Sequence, residues 1–185
     1  MKKVFILFST LLVLATGAFA QTQVGIVLPT KDEERWIQDA KSFQEALKTA
    51  GVSSEVVFSE KDPAKEKANV ETLITKGIKV LVLCPVDSAA AAASADAAAK
   101  AGVKVVAYDR LITGTKNVNF YVTFDSFNVG AAWGTYLVSQ AKGKGNNLYL
   151  YAGAASDNNA FIFFAGAWSV LQPKIADGTL SLIHI

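Results

Sequence analysis

The chain is poor in the residues that most secreted enzymes rely on. Of 185 residues one is cysteine, Cys84, and one is histidine, His184. A single cysteine gives no internal disulfide, so a packed core has to hold the molecule together. Cys84 ends the apolar run of residues 80–84 and reads as a small buried hydrophobe, not as a nucleophile. His184, the only histidine, is the next-to-last residue, which argues against a histidine zinc site or a Ser-His-Asp triad. Phosphate-binding glycine loops are missing as well. No G-x-G-x-x-G follows the first strand and no G-x-x-x-x-G-K-[ST] occurs. No G-x-S-x-G elbow is present either. No cofactor and no metal is expected, and the chain is read as a non-enzyme. A secreted glycosidase would need two placed carboxylates, and spacing pairs none of Asp109, Asp125 and Asp157.

Excess charge is also lacking. Lys2 and Lys3 open a basic start, residues 4–15 are almost wholly apolar, and Ala18-Phe19-Ala20 has the small-x-small form of a cleavage site. That pattern is a secretory signal peptide over residues 1–20, with Gln21 as the new N-terminus. The apolar run is short of the roughly 20 residues that a membrane span needs. Removing residues 1–20 leaves 16 basic residues against 16 acidic ones. A neutral mature chain argues against a nucleic-acid partner. About 165 residues remain, enough for one domain with a core, or one domain and part of a second.

What is present is a rhythm of strands and helices. Gly51, Gly77 and Gly102 each follow a helical pattern and precede a strand, as glycine at the position after a helix does. Strands are expected at residues 23–28, 54–58, 79–84, 105–107, 119–124 and 148–151. Helices are expected at 33–49, after Asp62-Pro63, at 88–100 with its nine alanines, at 128–141 and from 158 to 173. One more strand is expected after Gly178, and residues 181–185 fit that expectation poorly. Alternation of this kind predicts an α/β fold, a parallel doubly wound sheet of βα units with right-handed crossovers.

In such sheets ligands bind outside the carboxyl ends of the strands. Three segments fall there. Asp109-Arg110 follows the fourth strand and sets an acceptor-only carboxylate beside a five-donor guanidinium. The pair can grip adjacent hydroxyls of a polyol; it is also what an ordinary surface ion pair looks like. Arg35-Trp36 opens the first helix. Trp36 falls on the apolar stripe of that helix, yet its indole could instead lie on the C–H face of a pyranose. Asp157-Asn158-Asn159 precedes the last helix and fits an N-cap cluster as well as a set of donors and acceptors. Together the three segments suit a neutral polyhydroxylated ligand. That reading requires Arg35, Trp36, Asp109 and Arg110 to meet, and the indole not to lie wholly inside the apolar interior.

Glu34-Arg35-Trp36, Tyr108-Asp109-Arg110-Leu111-Ile112, Thr123-Phe124-Asp125 and Asp157-Asn158-Asn159-Ala160, in this order and with these distances, carry a resemblance. Over about residues 23–180 the chain resembles the periplasmic sugar-binding proteins of ABC transporters, of the type I fold. It is most similar to the D-xylose-binding and multiple-aldose-binding branch. The resemblance implies two α/β lobes joined by a three-stranded hinge, with a monosaccharide trapped between them. It gives Arg35 hydrogen bonds to the sugar, Trp36 stacking, Asp109 and Arg110 contacts to hydroxyls and ring oxygen, and Asn159 a contact from the second lobe. Asn158 and Asp157 are weaker candidates that also cap the helix. The implied division is residues 1–20 signal peptide, 21–126 first lobe, 127–180 the start of an incomplete second lobe, and 181–185 a tail unlike the family. The first crossing between lobes is expected at residues 124–128, and a truncated C-terminus is expected because family members run on. The implied partners are an ABC permease and, as an alternative, a chemoreceptor or sensor kinase, with the protein itself a periplasmic monomer. A repressor effector domain is disfavoured, since a signal peptide stands where a DNA-binding segment would be.

Overall fold

A computed structural model describes residues 22–183. The expected signal peptide, Gln21 and His184 lie outside the described residues. Five parallel strands form the main sheet: β1 (Val24–Leu28), β2 (Ser54–Phe58), β3 (Val80–Leu83), β4 (Lys104–Tyr108) and β5 (Phe120–Val122). Their order is β2-β1-β3-β4-β5. The order reverses direction at β1, so crossovers place helices on both faces, as the alternating pattern predicts.

Alternation along each strand explains the two cores. Val27, Leu81, Leu83, Val105 and Ala107 point to the side of α2 (Pro63–Thr75) and α3 (Ala92–Lys100), where they meet Val70, Leu73, Ala95 and Ala98. Ile26, Leu28, Val82 and Cys84 point to the side of α1 (Glu34–Thr49), where they meet Trp36 and Ala40. Both faces of a parallel sheet are covered, which is why its strands read as unbroken apolar runs. Cys84 is fully buried, and burial raises the pKa of its thiol. The three glycines after the helices all have positive φ: 71° at Gly51, 80° at Gly77 and 77° at Gly102. Asp62 caps α2 by accepting from the Ala64 N–H at 2.8 Å, with Pro63 first in the helix.

Several boundaries differ from the sequence expectation. α3 starts at Ala92 and not at residue 88, because residues 88–91 form a turn in which the Asp87 carboxylate accepts from the N–H groups of Ala89 and Ala90. β5 is shorter than residues 119–124, and Phe120, Val122 and Phe124 are exposed. Among the described residues β5 pairs only with β4, so no second strand covers that edge. α4 (Ser126–Gln140) begins two residues early because Asp125 accepts from the Asn128 N–H at 3.0 Å. The strand expected at 148–151 is β6 (Asn146–Leu148) instead, because its partner β7 (Leu180–Leu182) pairs with those residues. β7 is the strand expected after Gly178; Ser181 and Leu182 belong to it. α5 (Asn158–Ala176) continues past Pro173, where the sequence suggests a stop.

α4 and α5 pack closely because glycine faces glycine. A Cβ on Gly130 would lie 2.0 Å from the Phe163 carbonyl oxygen, and one on Gly166 would lie 2.0 Å from the Phe127 carbonyl oxygen. Both distances end in backbone, which cannot rotate away. Trp133 and Phe163 pack at 5.0 Å between ring centroids beside this crossing. The outer sides of the pair keep Trp133, Tyr136, Phe161 and Phe164 exposed. No described helix is long and apolar enough to cross a membrane.

Gly166→Ala is expected to lower stability by about 1–3 kcal/mol, the usual cost of overpacking. Alanine gains about 1 kcal/mol over glycine in helix propensity, so a melting or urea midpoint that rises in this variant would show that the helices are not in backbone contact.

Candidate functional site

The site is built around the residue after β4. Asp109 has φ 61°, a left-handed conformation that Asp tolerates better than most side chains. Its N–H donates to the Val122 carbonyl at 2.8 Å and so continues the β4–β5 ladder by one rung. The Arg110 N–H then donates back to the Tyr108 carbonyl at 2.7 Å, closing a three-residue turn with positive φ at its centre, the rare and strained form. Three side chains hold that turn. The Asp109 carbonyl accepts from Thr123 Oγ1 at 2.7 Å, from Asn159 Nδ2 at 3.0 Å and from the Tyr121 hydroxyl at 3.2 Å. The turn aims the Asp109 carboxylate, 8% exposed as a residue, at α1.

Arg35 meets it there. Its Nη2 lies 2.5 Å from Asp109 Oδ2, and its Nε lies 3.5 Å from Asp39 Oδ2 one helical turn on. Burial opposes the charge on Arg35, but the hydrogen bond to Asp109 and the fields of Asp109 and Asp39 outweigh it and raise the pKa. Asp39 also accepts from the Tyr108 hydroxyl at 3.0 Å. Burial, and then Asp39, push that phenol up to about 12. The Tyr108 ring packs edge-on against Phe43 at 5.0 Å.

Trp36 departs from the expectation of an open stacking floor. It is 2% exposed and belongs to the core cluster on the α1 side. Its Nε1–H donates to Glu33 Oε2 at 3.0 Å. The ring is not roofed by apolar groups alone: the Arg35 guanidinium carbon lies 4.5 Å from the ring centroid, and that of Arg110 lies 5.7 Å away. The cation–π attraction that keeps a guanidinium over an indole explains the cover.

Arg110 ties the two halves of the site. Its Nη1 donates to the Pro85 carbonyl at 3.1 Å. Its Nε lies 2.9 Å from Asp157 Oδ2, an ion pair in distance although Nε makes no well-aligned hydrogen bond. Asp157 is also the N-cap of α5, accepting from the Asn159 N–H at 2.9 Å. Capping and pairing with Arg110 are thus the same carboxylate's two contacts. The Asn158 N–H donates to Ser88 Oγ at 3.2 Å, and the Ser88 N–H donates to the Ser156 carbonyl at 2.9 Å. Asn159 is 5% exposed, and its amide is committed to the Asp109 carbonyl. In this conformation its amide braces the turn after β4. Its burial follows from the left-handed turn, whose carbonyl needs donors.

All seven candidate residues therefore fall in one connected cluster. Sequence reasoning missed several of their partners. Asp39 stands four residues after Arg35, a spacing that faces one side of a helix and was open to inspection. Tyr121 and Thr123 alternate with the apolar positions of the fifth strand and so share the opposite face. Glu66 carried no local signal. It lies on α2, 1% exposed, and accepts from the Val86 N–H at 2.6 Å. A polar hollow of about 190 Å³ beside the cluster is lined by Asp87, Ser88, Thr113, Ser156, Asn158 and Phe161, among others. A larger hollow of about 520 Å³ lies along α4 and α5 among Trp133, Tyr149, Tyr151 and Phe164. Arg35, Trp36, Asp109 and Arg110 line neither. Among the described residues no three His, Cys, Asp or Glu side chains gather as metal ligands.

Residues 24–183 match the periplasmic binding protein domain. The multiple sugar-binding periplasmic protein SbpA of Azospirillum brasilense is 41% identical over 181 residues, covering 93% of this chain and 51% of its own length. The D-xylose-binding periplasmic protein of Haemophilus influenzae is 33% identical over 161 residues, covering 87% of this chain and 48% of its own length. A solved carbohydrate transporter solute binding protein from Chloroflexus aurantiacus, in complex with D-glucose, is 67% identical. It superposes with a TM-score of 0.82 over 86% of this chain and 47% of its own. The chain spans about half the length of the curated relatives it matches.

Asn159→Ala is expected to lower stability by about 0.5–1.5 kcal/mol, the net worth of one hydrogen bond, since Thr123 and Tyr121 still donate to the Asp109 carbonyl. Urea unfolding checks it, and an unchanged midpoint would mean that Thr123 and Tyr121 alone satisfy the Asp109 carbonyl.

Proposed function

The chain belongs to the periplasmic binding protein domain family, and on that premise we propose that it is the substrate-binding component of an ABC-type sugar importer, taking an aldopyranose such as D-xylose or D-glucose. The observation that carries the reading is the meeting of Arg35, Asp109 and Arg110 over Trp36 at the carboxyl ends of the strands. The names of the sugar-binding relatives support it.

Two guanidinium groups and a carboxylate supply donors and acceptors in fixed directions, which a rim of sugar hydroxyls needs. The Arg35 side chain is 46% exposed and can lift from the indole, giving up a cation–π contact and its bond to Asp109 in exchange for bonds to the sugar. The ring face then meets the C–H face of the sugar. Nothing is cleaved or transferred; the protein binds and releases. Residues 1–20 direct export to the periplasm, residues 21–126 form the first lobe, and 127–180 begin the second. Lobe closure traps the sugar, and the closed form is what a permease engages.

Half a cleft leaves one side of a ligand in water. The 185-residue chain is expected to bind D-xylose or D-glucose weakly, in the millimolar range or above, and calorimetry showing micromolar affinity would contradict the two-lobe account. In a version extended to the length of the relatives, Arg110→Ala is expected to abolish binding while the melting transition stays cooperative. Sugar affinity unchanged in that variant would remove Arg110 from the site.

A further inference from the structure

Glu66 lies on α2, which contributes no other group to the cluster around Asp109. An ionised carboxylate that is 1% exposed is costly unless something needs it there. Its partner is the Val86 N–H at 2.6 Å, in the segment that joins β3 to α3. Two residues of that segment, Pro85 and Ser88, meet the site. The Pro85 carbonyl accepts from Arg110 Nη1 at 3.1 Å. Ser88 Oγ accepts from the Asn158 N–H at 3.2 Å, and the Ser88 N–H donates to the Ser156 carbonyl at 2.9 Å. The Ser88 carbonyl accepts from the Thr113 N–H at 2.8 Å. Glu66 thus holds a segment that, apart from the bonds of Asp87 to the following turn, reaches the loop after β4 and the start of α5.

We propose that Glu66 is a positioning residue for the ligand site: its carboxylate seats the segment of residues 85–88, and that segment seats Arg110 and the N-terminus of α5. The inference deepens the sugar-binding reading and rests on it for the nature of the ligand.

The geometry carries a pH signature. Burial pushes the Glu66 carboxyl up from 4.5 to about 7, the Val86 hydrogen bond opposes this, and two charged groups face it. Asp87, from the segment itself, raises it further, and Arg110, from beyond β4, lowers it. An acid with a raised folded pKa holds in the folded state a proton that the unfolded chain releases. Its contribution to stability therefore falls as pH rises from 4.5 to about 7 and is constant above. Below about pH 7 the carboxyl takes up its proton and becomes a weaker acceptor, and the tie to Val86 loosens.

Amide and side-chain N–H signals of the intact chain, followed by NMR from about pH 5 to about pH 8, test the proposal. Val86 N–H, Arg110 Nε–H and Asn158 N–H are expected to shift together with one midpoint near neutrality. Glu66→Gln is expected to abolish that shared titration, to remain folded, and to lose the fall in melting temperature across the same window. It is expected to weaken D-xylose or D-glucose binding by about tenfold, the scale of one hydrogen bond to a charged group. Arg110 and Asn158 signals that stay still while Val86 titrates would overturn the proposal, since Glu66 would then hold only its own peptide. Identical titrations in wild type and Glu66→Gln would overturn it too. Failure of the sugar reading shows separately, as no shift of any of these signals on adding either sugar, and the pH titration still decides the role of Glu66.

Discussion

The carbonyl oxygen of Asp109 is the point on which the cluster depends. A left-handed residue in a three-residue turn is not held by its own backbone preference, which opposes it by about 1–3 kcal/mol. It persists because three side chains from two directions donate to one oxygen: Tyr121 and Thr123 from β5 and its extension, and Asn159 from α5. The same turn points the Asp109 carboxylate at Arg35 and sends the Arg110 side chain towards Pro85 and Asp157. Three segments far apart in sequence are therefore registered against one another by the satisfaction of a single buried acceptor.

The fold was legible because burial on both faces leaves a plain mark: short runs such as residues 80–84, punctuated by Gly51, Gly77 and Gly102. Ends of elements were less legible. α3 is delayed by the Asp87 turn, and β6 is placed by its pairing with β7, a contact that no local pattern announces. That the candidate residues gather at one rim was legible, since strand ends of a parallel sheet face the same way. The site was not legible in its directions. Nothing near Trp36 in the sequence says that two guanidinium groups from different segments cover its ring, and nothing near Asn159 says that its amide turns inward to Asp109. Arg110 is remote from Trp36 in sequence and Asp109 from Asn159, and side-chain direction is decided by partners.

The two ends of the described chain differ in how completely they are packed. β1 to β4 bury both faces between α1 on one side and α2 and α3 on the other. Beyond β5 the apolar residues turn outward: Phe120 and Val122 on an edge strand, Trp133 and Tyr136 on α4, Phe161 and Phe164 on α5. The third cluster, around Leu148, Leu171 and Leu180, is small. The relatives are about twice as long as this chain.

The crossing of α4 and α5 ties the rim to a place well away from it. At Gly130 and Gly166 main chain rests on main chain, with no layer of side chains between. α5 opens with Asp157, Asn158 and Asn159, so the seat of those three residues beside Asp109 and Arg110 depends on two positions where a methyl group has no room.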